Sequence, residues 1–105
     1  MARLALSTQA YFDVEGILTD LTAKASRLIA AKYDGLFERL YARLVEHPHS
    51  GAPRPALGEN IRIGVVAPFI VIYQYDQEAD AVTVLRIVDG RRRISGRLLA
   101  RGEDH

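Results

Sequence analysis

Apolar residues recur along this chain at two different periods. In the first half they fall at Tyr11, Val14, Leu18, Leu21, Ala25 and Leu28, in steps of three and four that predict a helix. A second series, Ile29, Tyr33, Leu36, Leu40 and Leu44, predicts another. Ser7 stands where the first helix needs an N-cap, and Asp13 and Glu15 lie toward its positive end. The break between the helices is expected near Ala23 to Ser26, with Ser26 as the second cap. Neither Gly nor Pro marks it, so one long, bent helix is the alternative. Ahead of both, Arg3 to Ser7 reads as a short strand.

The segment Glu46 to Asn60 holds three of the four prolines and two glycines, so it reads as a loop that ends the helical half. After it the period drops to two. Strands are expected at Ile61 to Val66, Phe69 to Tyr75 and Val82 to Val88, joined by Ala67-Pro68 and by the polar turn Asp76 to Asp80. Connections this short make an antiparallel meander. The expected class is α+β: one domain over residues 1–105, with an N-terminal strand and a helical hairpin packed on a small antiparallel sheet.

The strand from Phe69 to Tyr75 is apolar on both faces, with Phe69, Val71, Tyr73 and Tyr75 on one and Ile70 and Ile72 on the other. Such a strand is normally covered on both sides. The helices can cover one. For the other, either the C-terminal segment folds back through Ile94, Leu98 and Leu99, or a partner chain lies over it. Simple alternation also puts Arg86 in a row with Val82, Val84 and Val88, and Arg62 interrupts the strand Ile61 to Val66. A guanidinium in such a row requires a carboxylate or a path to water.

Composition narrows the chemistry. The 105 residues contain no cysteine, which excludes disulfides, thiolate metal sites and cysteine nucleophiles, and suggests an intracellular protein. No apolar run approaches the roughly 20 residues of a membrane span, and the N-terminus is too short for a secretory signal. A cytoplasmic location is therefore expected. The net charge is +1, but the charge is uneven: Arg86, Arg91, Arg92, Arg93, Arg97 and Arg101 face a single nearby acid, Asp89. Such a basic run is solvated surface, or it grips carboxylate or phosphate. His47 and His49 flank Pro48 without other ligands nearby, and no phosphate-binding loop is present, so no metal or cofactor is expected.

Four stretches in order, "LALSTQAYFDVEGI", "EHPHSGAPRPALGENIR", "FIVIYQYD" and "VTVLRIVDGRRRI", give the chain a resemblance to the ParE toxins of the RelE/ParE superfamily, from bacterial type II toxin–antitoxin systems. The likeness runs from about Arg3 to Arg101. It implies the same helical hairpin on a sheet and a ParD-like antitoxin whose C-terminal region wraps the toxin. It also implies DNA gyrase as target; the RelE branch instead cleaves mRNA on the ribosome. The chain departs from the family in having Thr8 after the capping serine, Pro68 before the aromatic of the third strand, and Asp89 where histidine often precedes the glycine.

Cleaving RNA through its 2′-hydroxyl needs an acid and a base beside a phosphate clamp. The RelE-like nucleases resemble this chain in the arginines of the last strands but also use lysines and a C-terminal tyrosine. Here both lysines, Lys24 and Lys32, lie in the helical half, and no tyrosine follows Tyr75. Past the polar turn Asp76 to Asp80, Asp89, Glu103, Asp104 and His105 are the only acids or histidines. The expectation is a protein inhibitor with no catalytic residues, which binds no nucleic acid alone. An mRNA interferase, or a non-toxic antitoxin-binding relative, is the alternative. Arg62, Tyr73, Arg86, Arg91, Arg92 and Arg93 are the candidates for contact with antitoxin or target.

Overall fold

The computed structural model describes residues 1–91 and Leu99. Strand β1 (Arg3–Leu6) leads into helix α1 (Thr8–Lys24), which a tight turn joins to helix α2 (Arg27–Glu46). Two helices form as expected, not one long, bent helix, and both serine caps are in place. Ser7 Oγ accepts from the Ala10 N–H at 3.0 Å, and Ser26 Oγ accepts from the Ile29 N–H at 3.1 Å. The proline-rich segment contains a two-residue strand β2 (Ala52–Pro53) and a 3-10 turn (Pro55–Leu57). Strands β3 (Ile61–Val66), β4 (Phe69–Asp76) and β5 (Ala81–Asp89) complete the fold.

Sheet order is β1-β5-β4-β3-β2. The meander β3-β4-β5 is antiparallel as expected, and β2 joins it antiparallel. The N-terminal strand pairs with β5 in parallel, from Arg3 opposite Ala81 to Leu6 opposite Val84, so the full sheet is mixed. Both helices lie on one face. There Phe37, Leu40, Tyr41 and Leu44 of α2 and Ala10 of α1 bury against Val71, Tyr73, Val82, Val84 and Ile87. The faces of the helices differ in part from the expected stripes. Tyr11 and Leu28 are 55% and 80% exposed; α1 turns Val14 inward as expected, but with Ala10 and Ile17 beside it. Gly64 allows the close seat of α2, since a Cβ there would stand 3.0 Å from the methyls of Leu40.

The opposite face carries a second cluster of Ile61, Ile63, Ile72 and Val88, all buried. Leu57 from the 3-10 turn and the partly buried Leu99 pack on it. The doubly apolar strand is therefore covered within the chain, and Leu99 does part of what the fold-back reading asks. Ile94 and Leu98 lie outside the described residues. Among the described residues no helix is long and apolar enough to cross a membrane.

One polar atom is out of place in the helix-side core. The Tyr41 hydroxyl is buried with no hydrogen-bond partner among the described residues. Burial first, then the charges of Glu38 and Asp34, push its pKa up to about 12 from the ordinary 10.0. A hydroxyl whose folded pKa lies above its unfolded one stabilises the fold below the unfolded pKa, and that contribution fades as pH rises through the folded pKa. Tyr41→Phe should therefore be neutral or slightly stabilising at pH 7, because it removes an unpaired polar atom. It should also lessen the loss of stability between about pH 10 and pH 12. Urea unfolding at neutral and alkaline pH checks both.

Candidate functional site

The side chains of interest sit at three places: the edge of β5, the loop over the end of β3, and the start of the basic run. At the first, β5 carries one residue more than β4. Tyr73 pairs with Val84 and Ile72 with Arg86, which leaves Leu85 as a bulge. The bulge reverses the alternation. Val82 and Val84 share the helix-side core with Ile87, whereas Val88 and Leu85 join the opposite cluster. Arg86 consequently leaves the valine row in which simple alternation placed it.

Its guanidinium reaches α1. Arg86 Nε donates to Asp13 Oδ2 at 2.8 Å and Nη2 to Oδ1 at 3.2 Å, a two-pronged ion pair. The same Oδ2 accepts the backbone N–H of Ile87 at 2.9 Å. Strand β1 stops opposite Val84, so among the described residues this N–H lies on an edge with no strand beside it. Ser7 completes the arrangement, since its N–H donates to the Val84 carbonyl at 2.8 Å and its hydroxyl to the Leu85 carbonyl at 2.8 Å. Asp13 therefore does not act on the helix dipole, as its place in the sequence suggests. It lies in the second turn of α1 and takes the position of the missing strand. Arg86 thereby has the internal acid that a half-buried arginine requires.

At the second place, Tyr73 is fully buried and is a post beneath the loop, not a surface contact. Its hydroxyl donates to the Pro48 carbonyl at 2.8 Å and accepts the Gly51 N–H at 2.9 Å. Burial raises its pKa above the ordinary value, against the opposing Gly51 bond and the charges of Arg62 and Arg43. Gly51 is required by closeness, since a Cβ would lie 2.5 Å from both the Tyr73 hydroxyl and the Ile63 carbonyl. Arg62 pins the same loop through Nη1, which donates to the carbonyls of His49 at 3.0 Å and Gly51 at 2.8 Å. Beside it a cleft of about 470 Å³ opens between the loop and the ends of β3 and β4.

At the third place, Arg91 is exposed and folds back on Asp89, pairing through Nε and Nη2. Arg92 and Arg93 lie outside the described residues. The structure thus brings Arg62 and Tyr73 together under one loop and sets Arg86 apart on α1. Sequence reasoning missed Asp13 and Ser7 as partners of β5. The signal was a lone acid inside a helix and a lone arginine inside a strand, each of which required an opposite charge.

A basic-edged groove lies elsewhere, between α2 and β3. It measures about 510 Å³, is floored by Leu36, Leu40 and Val66, and is lined also by Lys32, Arg39 and Arg43. Beyond Ile63 and Arg62, which pair with β2, the outer edge of β3 has no strand beside it among the described residues. Among the described residues no group of three or more His, Asp or Glu side chains gathers to hold a metal.

Two helices on one face of a five-stranded mixed sheet is a fold found in solved structures from toxin–antitoxin systems. A chain from the chromosomal ParDE toxin–antitoxin system of P. aeruginosa superposes with a TM-score of 0.70 at 20% identity, over 85% of this chain and 96% of that one. A chain from the toxin–antitoxin complex RelBE2 of Mycobacterium tuberculosis gives a TM-score of 0.60 at 19% identity, over 84% and 96%. At these identities the likeness is one of fold. No curated protein matches by sequence. The model of the ParE toxin family, of type II toxin–antitoxin systems, matches residues 4–94, and the chain belongs to that family.

The edge clamp has a measurable cost when broken. Asp13→Ala removes the carboxylate from a guanidinium whose side chain is 14% exposed, and it also unpairs the Ile87 N–H. The expected loss is about 2–4 kcal/mol of unfolding free energy. Asp13→Asn keeps an acceptor for Ile87 and should lose roughly half as much. Denaturant unfolding of the two variants tests this.

Proposed function

We propose that this protein is the toxin of a type II pair, that it inhibits DNA gyrase by binding it, and that a ParD-like antitoxin neutralises it in the cytoplasm. Family membership supports the toxin role, and the structures of similar fold come from toxin–antitoxin systems. The observation that carries the partner reading is the groove between α2 and β3. Lys32, Arg39 and Arg43 line it without an acidic side chain, above an apolar floor and beside an open strand edge. An acidic amphipathic segment meets all three features: apolar side chains for the floor, carboxylates for the cations, and a backbone for the β3 edge. The antitoxin surface assigned here is this groove. The apolar face of the sheet opposite the helices already has Leu57 and Leu99 upon it.

The engaged arginines favour an inhibitor over a nuclease. Arg86 is engaged by Asp13 and Arg91 is paired with Asp89. The Tyr73 hydroxyl is spent on the loop. Arg62 supports the proline-rich loop, and Arg92 and Arg93 extend the basic run that we assign to the target.

Expression of the chain alone should arrest growth, and the purified chain should slow gyrase supercoiling. Co-expression of the small protein from the adjacent reading frame should restore both. Arg39→Glu with Arg43→Glu should leave the fold intact and weaken antitoxin binding by about tenfold to a hundredfold in calorimetry. Unchanged antitoxin affinity would remove the groove from the account. Normal supercoiling with discrete transcript cleavage would replace the gyrase target with mRNA.

A further inference from the structure

We infer that the cleft under the proline-rich loop is a binding site for a small, singly charged carboxylate with a flat apolar body. This stands apart from the toxin reading and uses none of the groove residues. The cleft holds about 470 Å³, a volume typical of small-molecule sites.

Arg62 supplies the anchor. Nη1 is used by the carbonyls of His49 and Gly51, which fix the orientation of the guanidinium plane. Nε and Nη2 donate to nothing among the described residues, and no carboxylate there pairs with this arginine. The unused edge is a two-donor fork held in place before any ligand arrives, the geometry that a carboxylate matches. Around it lie an apolar contact from Ile61 and an aromatic wall, where His49 stands edge-on to Tyr75 with centroids 5.1 Å apart. The Tyr75 hydroxyl is bonded to Asp80 at 2.7 Å, so the ring contributes its surface and not its proton.

Charge sets the ligand class. Glu59 also lines the cleft, against the single arginine. One anionic group can pair with the fork, but a second or third finds no cation and meets the Glu59 carboxylate. Polyphosphates and RNA are therefore disfavoured, and a monocarboxylate is preferred.

The test is a nitrogen–proton correlation NMR titration of the full chain with benzoate as probe. ATP and a short oligoribonucleotide serve as comparisons at equal ionic strength. The expected result is a saturable shift of the Arg62 Nε–H signal with benzoate, and none with ATP or the oligonucleotide. Arg62→Lys, which keeps the charge and loses the fork, should weaken benzoate binding by about tenfold. His49→Ala, at an exposed ring that supports no core residue, should fold normally and weaken it as well. No saturable shift with benzoate at millimolar concentration, or tighter binding of ATP or RNA than of benzoate, overturns the inference.

Discussion

A single carboxylate settles how the two halves of this protein meet. Strand β5 runs from Ala81 to Asp89, but its parallel neighbour β1 ends at Leu6, opposite Val84. The rest of that edge would present unpaired backbone groups, which are costly when partly buried. Asp13 accepts the Ile87 N–H and neutralises Arg86 with the same group, and Ser7 holds the carbonyls of Val84 and Leu85. Because Asp13 and Ser7 belong to α1 and its cap, these bonds also fix how that helix lies against the sheet. The tight turn at Ser26 then places α2 over Val71 and Tyr73, and Gly64 lets Leu40 settle close to β3.

The functional surfaces follow from that placement. With α2 seated, its Lys32, Arg39 and Arg43 line a groove along the edge of β3 that β2 leaves uncovered. On the sheet face away from the helices, Leu57 and Leu99 pack on Ile61, Ile63, Ile72 and Val88. The proline-rich loop is held from below by Tyr73 and from the side by Arg62, so the cleft it forms with Tyr75 has a fixed wall. Order in this small domain is achieved with few polar atoms, each used more than once. Asp13 Oδ2 serves two donors, the Tyr73 hydroxyl serves two loop groups, and the Ser7 hydroxyl both caps a helix and holds a bulge.

What could be read from the sequence was local. Ser7 and Ser26 cap helices because short-range hydrogen bonding decides such positions, and the strands from Ile61 to Val88 follow their period of two. The parallel entry of β1 and the bulge at Leu85 are tertiary facts. A bulge inserts one residue and reverses every face beyond it, which is why alternation misplaced Arg86 and Val88. The helix stripes erred at Tyr11 and Leu28 because periodicity fixes the spacing of a face, and packing fixes its direction. Tyr73 was legible as a strand aromatic, but its role beneath the loop depends on Pro48 and Gly51, more than twenty residues away. Of the candidate contacts, Arg62 and Arg86 proved to have internal partners, whereas the groove cations on α2 gave no pattern that distinguished them from an ordinary solvated helix face.

The claim that Asp13 stands in for a strand is tested most directly by amide hydrogen exchange at Ile87. If the carboxylate closes the edge, the Ile87 amide exchanges as slowly as the amides shared between β4 and β5, through global unfolding alone. Exchange at the rate of an exposed strand edge, with those neighbours still protected, would contradict the account.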